Sequence, residues 1–578
     1  MNDFTELFRD VTAGIEFTDG LAKQNGPGHT LEVAGLSCCH VGRLTADIYA
    51  AGIVAGEISE PQGIEMLRAI RLLQIDAPGD HQHGAFLWYR EETRVRDTNA
   101  AFFTLVPLAI LRLKYAELIP DPQGRLVDTM LRAGGEWFTR QCAEPSLYYP
   151  NKIMSDGALL IAIGSVLEHE AFYSAGGDFF ERWLEYTERR GWGWGENISL
   201  GYLGVIFKAL ELACLALRPA ETDLEVKLRG HMRALGEILR FHDGQEFVPT
   251  IRSYNFDGQV VRSSPLWRMV GVDSGAEEKS IGSLMNTVLF GDSVVIAEEN
   301  RPPVPRTREV KVFDAATSYS WIGHNARLGS LTRFPVMPGS YQWPTWGLGW
   351  QSFPVSFSVA QEQVSFLRWS VIERGHHRFH PTEDKSKTYL DPALFGEKYY
   401  PEVTTRSSQS QSALVAVRAM VGVHNSASSI VDEWVVNRFV GELHDCQSKD
   451  ARRWIVLQYA SSAVMITALA GIDSLREGRE SATIRVVQDV DKLRLQQVLF
   501  EGDETVVHHP RLEAAWCVVI IDEAPGDVLD LVESVKITDE SFSDHEVPRA
   551  SYAEIREITA RVAGGPVCRL RIDPHYDE

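Results

Sequence analysis

The sequence has no apolar run long enough to span a membrane. Its nearest candidate, Ala100 to Leu113, is interrupted by Pro107 and falls short of the ~18 residues a span requires. Positive charge is scarce: 57 Lys and Arg against 79 Asp and Glu leave a formal charge of −22, which argues against a general phosphate-backbone binder. Cysteine is scarce too. Seven are scattered over 578 residues, only Cys38 and Cys39 adjoin, and no C-x-x-C pair occurs, so neither a disulfide framework nor a structural zinc site is suggested. Buried free thiols in a reducing compartment are the expectation. The opening MNDFTELFRD lacks the basic-then-apolar order of an export signal, which points to a cytoplasmic protein, or a periplasmic or secreted one if a leader has been removed. No fixed repeat period is visible, which argues against a solenoid. With 44% hydrophobic and 24% charged residues the composition is that of an ordinary globular chain, long enough for two domains.

What is present falls into two textures. Up to about residue 300 the periodicity is helical, in stretches near 61–73, 97–118, 124–141, 153–170, 176–189, 200–217, 222–241 and 276–290. In 222–241, Leu224, Leu228, Met232, Leu235 and Leu239 recur every three or four residues and line one face. In 200–217 nearly every position is apolar, so that helix must be packed on several sides. Alternating amphipathic and all-apolar helices predict an (α/α) toroid, an inner ring covered by an outer one. The segment EENRPPVPRTR, 298–308, carries three prolines and ends the helical pattern. Beyond it, β-rich runs bounded by turn residues, at 310–313, 318–322, 364–371, 413–421, 430–440, 454–459, 482–487 and 515–521, predict a large C-terminal antiparallel β-sandwich. The expected domains are 1–300 for the toroid and 301–578 for the sandwich.

Aromatic and polar residues gather near helix ends in HQHGAFLWYR (81–90), LYYPNK (147–152), WGWGENISLGY (192–202) and TIRSYNFDGQVVR (250–262). Loops held by a rigid scaffold are where function concentrates. Trp88, Arg90, Tyr149, Trp192, Trp194, Glu196, Tyr254 and Arg262 are the candidate sugar-binding residues there, although core packing is the favoured reading of any single aromatic. His81 and His83, with Asp80, read as a metal-binding H-x-H, a substrate contact or a plain loop. The run GHHRFH (375–380) is a candidate for a structural metal, and YQWPTWGLGW (341–350) for a lid or an interface plug. No cofactor is expected otherwise.

One ordered set is more specific. Asn151 in YYPNK, Tyr202 in SLGYLGVIFKALEL and Arg252 in PTIRSYNFDGQVVR follow one another at intervals of 51 and 50 residues, with Arg262 after them. That order resembles the chondroitin AC and hyaluronate lyases. The toroid-plus-sandwich layout is similar to theirs, to the heparinase II/III-like enzymes and to some alginate lyases, over nearly the whole chain. The resemblance implies a polysaccharide lyase in which Asn151 neutralises a uronate carboxylate, Tyr202 is base and acid, and Arg252 assists the tyrosine or holds the uronate. The family's histidine ahead of the tyrosine has no counterpart, since 192–197 read WGWGEN, and Asn197, His81 and His83 are the candidates for its role.

The chemistry is coherent. Removing the C5 proton of a uronate builds charge beside a carboxylate, which an amide, imidazole or guanidinium stabilises. A tyrosine takes that proton once nearby cations draw its pKa down from ~10. Read without the resemblance, Asn151 is a cap on the helix after Pro150, Tyr202 a core aromatic and Arg252 a surface ion-pair partner. The net charge slows encounter with a polyanion, so an acidic oligosaccharide is the expected partner ahead of a polysaccharide, with neither nucleic acid nor membrane, and a homodimer is a candidate assembly. Two other classes remain open. A glycoside hydrolase would set two of Glu91, Glu92, Asp97, Asp156 and Glu196 about 5–5.5 or 6.5–9.5 Å apart. A carbohydrate-binding scaffold would bind without turnover.

Overall fold

Helices buried on all sides alternate along the chain with helices that keep one face to water, and the alternation sorts them into two rings. The computed structural model describes residues 2–30, 32–192, 195–253, 255, 279–291, 303–312, 316–334, 352–359, 363–373, 376–377, 402–472, 483–523, 526–542 and 554–573. Two compact units emerge. One comprises Met1–Asn197, Gly201–Gln245 and Arg262–Arg301; the other comprises Ile198–Leu200, Glu246–Val261 and Pro302–Glu578.

The first unit begins with α1 (Asn2–Thr12) and a small antiparallel sheet of β1 (Phe17–Thr18), β2 (Leu21–Asn25) and β3 (Cys38–Val41). The helices that follow are α2 (Gly42–Ala55), α3 (Glu60–Arg71), α4 (Ala100–Lys114), α5 (Asp121–Ala143), α6 (Pro150–Val166), α7 (Glu170–Arg190), α8 (Leu200–Ala216), α9 (Thr222–Phe241) and α10 (Ile281–Phe290). In α6 every residue from Pro150 to Gly164 is buried, whereas α5, α7 and α9 bury one stripe each. The outer helices α3, α5 and α7 pack in series, and α6 packs against α4, α5 and α7. Glycines let α6 and α7 approach: a Cβ on Gly164 would stand 2.4 Å from the Tyr173 nitrogen. Gly56 and Gly191, both at φ 70°, close α2 and α7 in the left-handed conformation that suits glycine. The sequence reading did not anticipate α2. Its GRLTADIYAAGIVA offers little polar contrast because it lies in the inner ring, with Ile48, Tyr49, Ala50 and Ala51 all buried.

The second unit is built on strands β4 (Arg306–Lys311), β5 (Thr317–Ile322), β6 (Ala326–Leu331), β7 (Arg333–Phe334), β8 (Val355–Val359), β9 (Val364–Glu373), β10 (His376–His377), β11 (Glu402–Ser410), β12 (Ala413–Asn437), β13 (Glu442–Gln447), β14 (Arg453–Gln458), β15 (Ala463–Ile472), β16 (Ile484–Gln488) and β17 (Lys492–Ile521). They form one antiparallel sheet with the main path β13-β14-β15-β17-β12-β9-β8-β6-β5-β4. The two long strands turn this sheet over on itself. β12 pairs with β11 through Ala413–Val421 and with β9 through Ser429–Val435, and register shifts fall between, at Ala427/Ser429 and Ile430/Val431. The two layers so made enclose a core in which Leu328, Phe357, Leu367 and Trp434 meet Ile455, Ile466, Trp516 and Val518. The layer holding β14, β15 and the end of β17 is covered on its other face by α11 (Val528–Glu533) and a sheet of β18 (Val535–Phe542), β19 (Ile555–Val562) and β20 (Val567–Ile572).

Fully buried Arg556 ties these layers together. Its guanidinium reaches Glu513, Asp539 and the Ala470 carbonyl.

Candidate functional site

Each apolar helix of the first unit is followed by a turn and an amphipathic helix running back, so the starts of α2, α4, α6 and α8 share one end. Bonds between successive starts confirm it. Val41, just before α2, bridges to Tyr89 in the loop leading to α4. The Asn99 amide, at the start of α4, donates to the Tyr149 hydroxyl at 3.1 Å, just before α6. At the start of α6, Asn151 donates its backbone N–H to Glu196 Oε2 at 2.7 Å and its amide Nδ2 to Oε1 at 2.5 Å. Glu196 opens the 3-10 turn Glu196–Ile198 that leads into α8, whose first turn carries half-buried Tyr202.

The polar groups behind this rim are dense and mutually engaged. One helix turn inside α6, Lys152 pairs with Asp156 and also reaches Gln141 at 3.1 Å. Burial pushes the Asp156 carboxyl up, against the pull of Lys152. In the loop before α4, burial raises the Glu92 carboxyl although Thr30 and the Trp88 and Tyr89 N–H groups all donate to it. Tyr89 is pushed up to about 12, chiefly by burial, and stays a neutral phenol. Its oxygen lies 2.8 Å from His29 Nδ1, and His29 Nε2 faces Asp97 at 3.4 Å. Farther along α8, Lys208 is pushed down to about 8 by burial, with Asp47 and Arg43 of α2 as its charged neighbours.

The candidates from the sequence disperse to different duties. Asn151, Glu196 and Asn197 are buried together around the start of α6, and Asn151 is only 1% exposed. Glu196, expected to touch sugar, instead holds Asn151. Tyr149, also expected at the sugar, is buried and receives Asn99. Trp88 is buried, edge-on to His29 at 4.8 Å and beside Phe103. Arg90 pairs with Asp19 at 3.1 Å. Trp192 packs against Trp183 and His231 of the outer helices. His81 and His83 do not act as a pair: exposed His81 lies beside Asp80, while buried His83 turns to Glu136 of α5. Arg252 belongs to the second unit, where it is 2% exposed with φ 52°, and its N–H donates to Ser352 Oγ. Trp194, Tyr254, Arg262, the 341–350 run and most of 375–380 lie outside the described residues; His376 and His377 are described only as the backbone of β10. Among the described residues, no three His, Cys, Asp or Glu side chains gather as a metal site.

Every acid proposed for a hydrolase is already engaged. Glu91 takes His40, Glu92 takes Thr30 and two backbone N–H groups, Asp97 takes His29 and the Asn99 N–H, Asp156 takes Lys152, and Glu196 takes Asn151. Sequence reasoning missed His29 altogether. It lies 68 residues from Asp97 in a short G-x-G-H turn, and no spacing rule links the two.

No family model matches the chain, and no curated protein matches it. Solved structures do. A Streptomyces coelicolor A3 chondroitin AC lyase in complex with chondroitin sulphate aligns over 99% of this chain and 88% of its own, at 10% identity and a TM-score of 0.53. A heparinase III aligns over 92% of this chain and 82% of its own, at 11% identity and a TM-score of 0.44. The chain shares the fold of that chondroitin AC lyase, a helical toroid followed by an antiparallel β-sandwich.

Proposed function

We propose that this chain is a polysaccharide lyase that cleaves uronate-containing glycans by β-elimination, acting in the cytoplasm on acidic oligosaccharides. One observation carries the reading: the Asn151 held by Glu196 at the start of α6, one short turn before Tyr202, at the end of the toroid where the apolar helices begin. Helix starts present N–H groups and the positive ends of their dipoles, an environment that favours an anionic sugar. Glu196 takes one N–H of the Asn151 amide, and the reading assigns the other to the uronate carboxylate. Tyr202 then removes the C5 proton. The C4–C5 double bond forms as the bond from C4 to the glycosidic oxygen breaks, and the phenol proton passes to that leaving oxygen. No water is consumed, and the new non-reducing end is an unsaturated uronide.

A panel of uronate glycans followed by far-ultraviolet absorbance tests this. The wild type is expected to generate the unsaturated chromophore. Tyr202→Phe is expected to lose roughly 10²–10⁴-fold in kcat while still binding oligosaccharide, the usual worth of a positioned acid–base group. New reducing ends without absorbance would establish hydrolysis and overturn the reading.

A further inference from the structure

Among the described residues, a side-chain route into the α6 start from the α4 side begins at His29, a residue with no part in the reaction as drawn above. Its ring is held at both nitrogens. The His29 backbone N–H donates to the Tyr89 oxygen at 3.3 Å, and that hydroxyl lies 2.8 Å from Nδ1. Asp97 faces Nε2 at 3.4 Å, and Nε2 therefore carries the hydrogen. The other oxygen of Asp97 accepts the Asn99 N–H at 2.9 Å, and the Asn99 amide donates to Tyr149 at 3.1 Å. Tyr149 in turn accepts the Ile153 N–H on its carbonyl, the first helical bond of the turn that contains Asn151. Trp88 closes one side of the imidazole edge-on at 4.8 Å.

We propose that His29 is a positioning residue for Asn151, acting through Asp97, Asn99 and Tyr149 to fix the first turn of α6. Asn99 is the joint of the relay. It is 8% exposed, its amide nitrogen donates to Tyr149, and its oxygen takes no partner among the described residues. Glu196 grips Asn151 from the α8 side and the relay steadies its helix from the α4 side. The amide is thereby held between two fixed points. The role in catalysis rests on the lyase reading above; the mechanical coupling does not.

Hydrogen exchange on the full chain separates the two. In His29→Ala, exchange across 149–155 is expected to rise about tenfold while α9 is unchanged, the signature of local rather than global opening. On a uronate glycan, kcat is expected to fall about tenfold with KM within about threefold, because an interaction felt at the transition state is lost and ground-state binding is not. His29→Gln restores a donor where Nε2 stood and is expected to regain most of both effects. Unchanged exchange across 149–155 in His29→Ala overturns the proposal. Equal acceleration in α9, or failure of His29→Gln to rescue, overturns it as well. If the wild type makes no unsaturated product, the lyase reading fails while the exchange comparison still decides the coupling.

Discussion

Glu196→Gln probes the site most directly, because the change keeps the shape and removes only the charge and one acceptor. In the structure the carboxylate is wholly buried and accepts twice from Asn151, at 2.7 and 2.5 Å. A glutamine can satisfy one of these donors and must oppose the other with its own N–H. A hydrogen bond to a charged acceptor is worth about 1.5–3 kcal/mol, and the lower cost of burying a neutral amide offsets part of that loss. A net cost of about 2 kcal/mol, if felt fully in the placement of Asn151 at the transition state, lowers kcat roughly 30-fold. Steady-state rates on a uronate glycan are the assay, with thermal unfolding alongside. The expected result is kcat down about 10- to 100-fold, KM within about threefold, and a melting point a few degrees lower. Asn151→Ala is expected to lose a similar factor, and the double variant no more than the worse single one, since both act through one group. A Glu196→Gln enzyme within about twofold of wild-type kcat, or fully additive losses, would refute the argument.

Two further outcomes concern stability. Arg556→Met leaves Glu513 and Asp539 buried without their shared cation, and is expected to cost about 3–5 kcal/mol, read as the urea midpoint of the sandwich or as accelerated exchange in 555–572; a loss under about 1 kcal/mol would show the network to be dispensable. Lys208 has a folded pKa of about 8, below its ordinary 10.5, so the unfolded chain binds more protons between those values and stability rises with pH across that window. Lys208→Met removes this dependence: the stability of the variant relative to wild type is expected to shrink by up to about 2–3 kcal/mol as pH rises from 8 to 10.5, and a gap flat in pH would exclude a depressed lysine.

Several regular elements were legible where periodicity met water on one side, although amphipathic α1 and the half-exposed strands β18 to β20 were not. The stripe of Leu224, Leu228, Met232, Leu235 and Leu239 marks α9 almost to the residue. Buried α2 was missed, whereas α6 and α8, just as apolar but bounded by clearer turn residues, were read as helices. β12 reads as two runs because Gly422 and the serines near its bend break the apolar pattern of a strand that continues. β17 is hidden in EGDETVVHHP for a related reason: Glu501 to Thr505 are exposed, so no face is marked apolar there. At the candidate site the order of Asn151 and Tyr202 is readable, but not the grip of Glu196 on Asn151, since a pair 45 residues apart is made by helix packing rather than by local spacing. His81 and His83 show the converse. Their adjacency suggests cooperation, yet the turn at 81–84 sends one ring to solvent and the other toward α5.

The chain does not hand over from helix to sheet at a single point. Segments 198–200 and 246–261 lie among the helices in sequence and belong to the β unit in space, where Thr250 bridges to Phe353, Ser320 bonds the Val248 carbonyl, and Gly329 leaves room for the Val248–Pro249 backbone. Anyone dissecting the protein by severing it near residue 300 would therefore tear a finger from the glove. The C-terminal fragment would expose the bed of Gly329 and Ser320, and co-expression of the two pieces, or supply of a 246–255 peptide, would be needed to fill it.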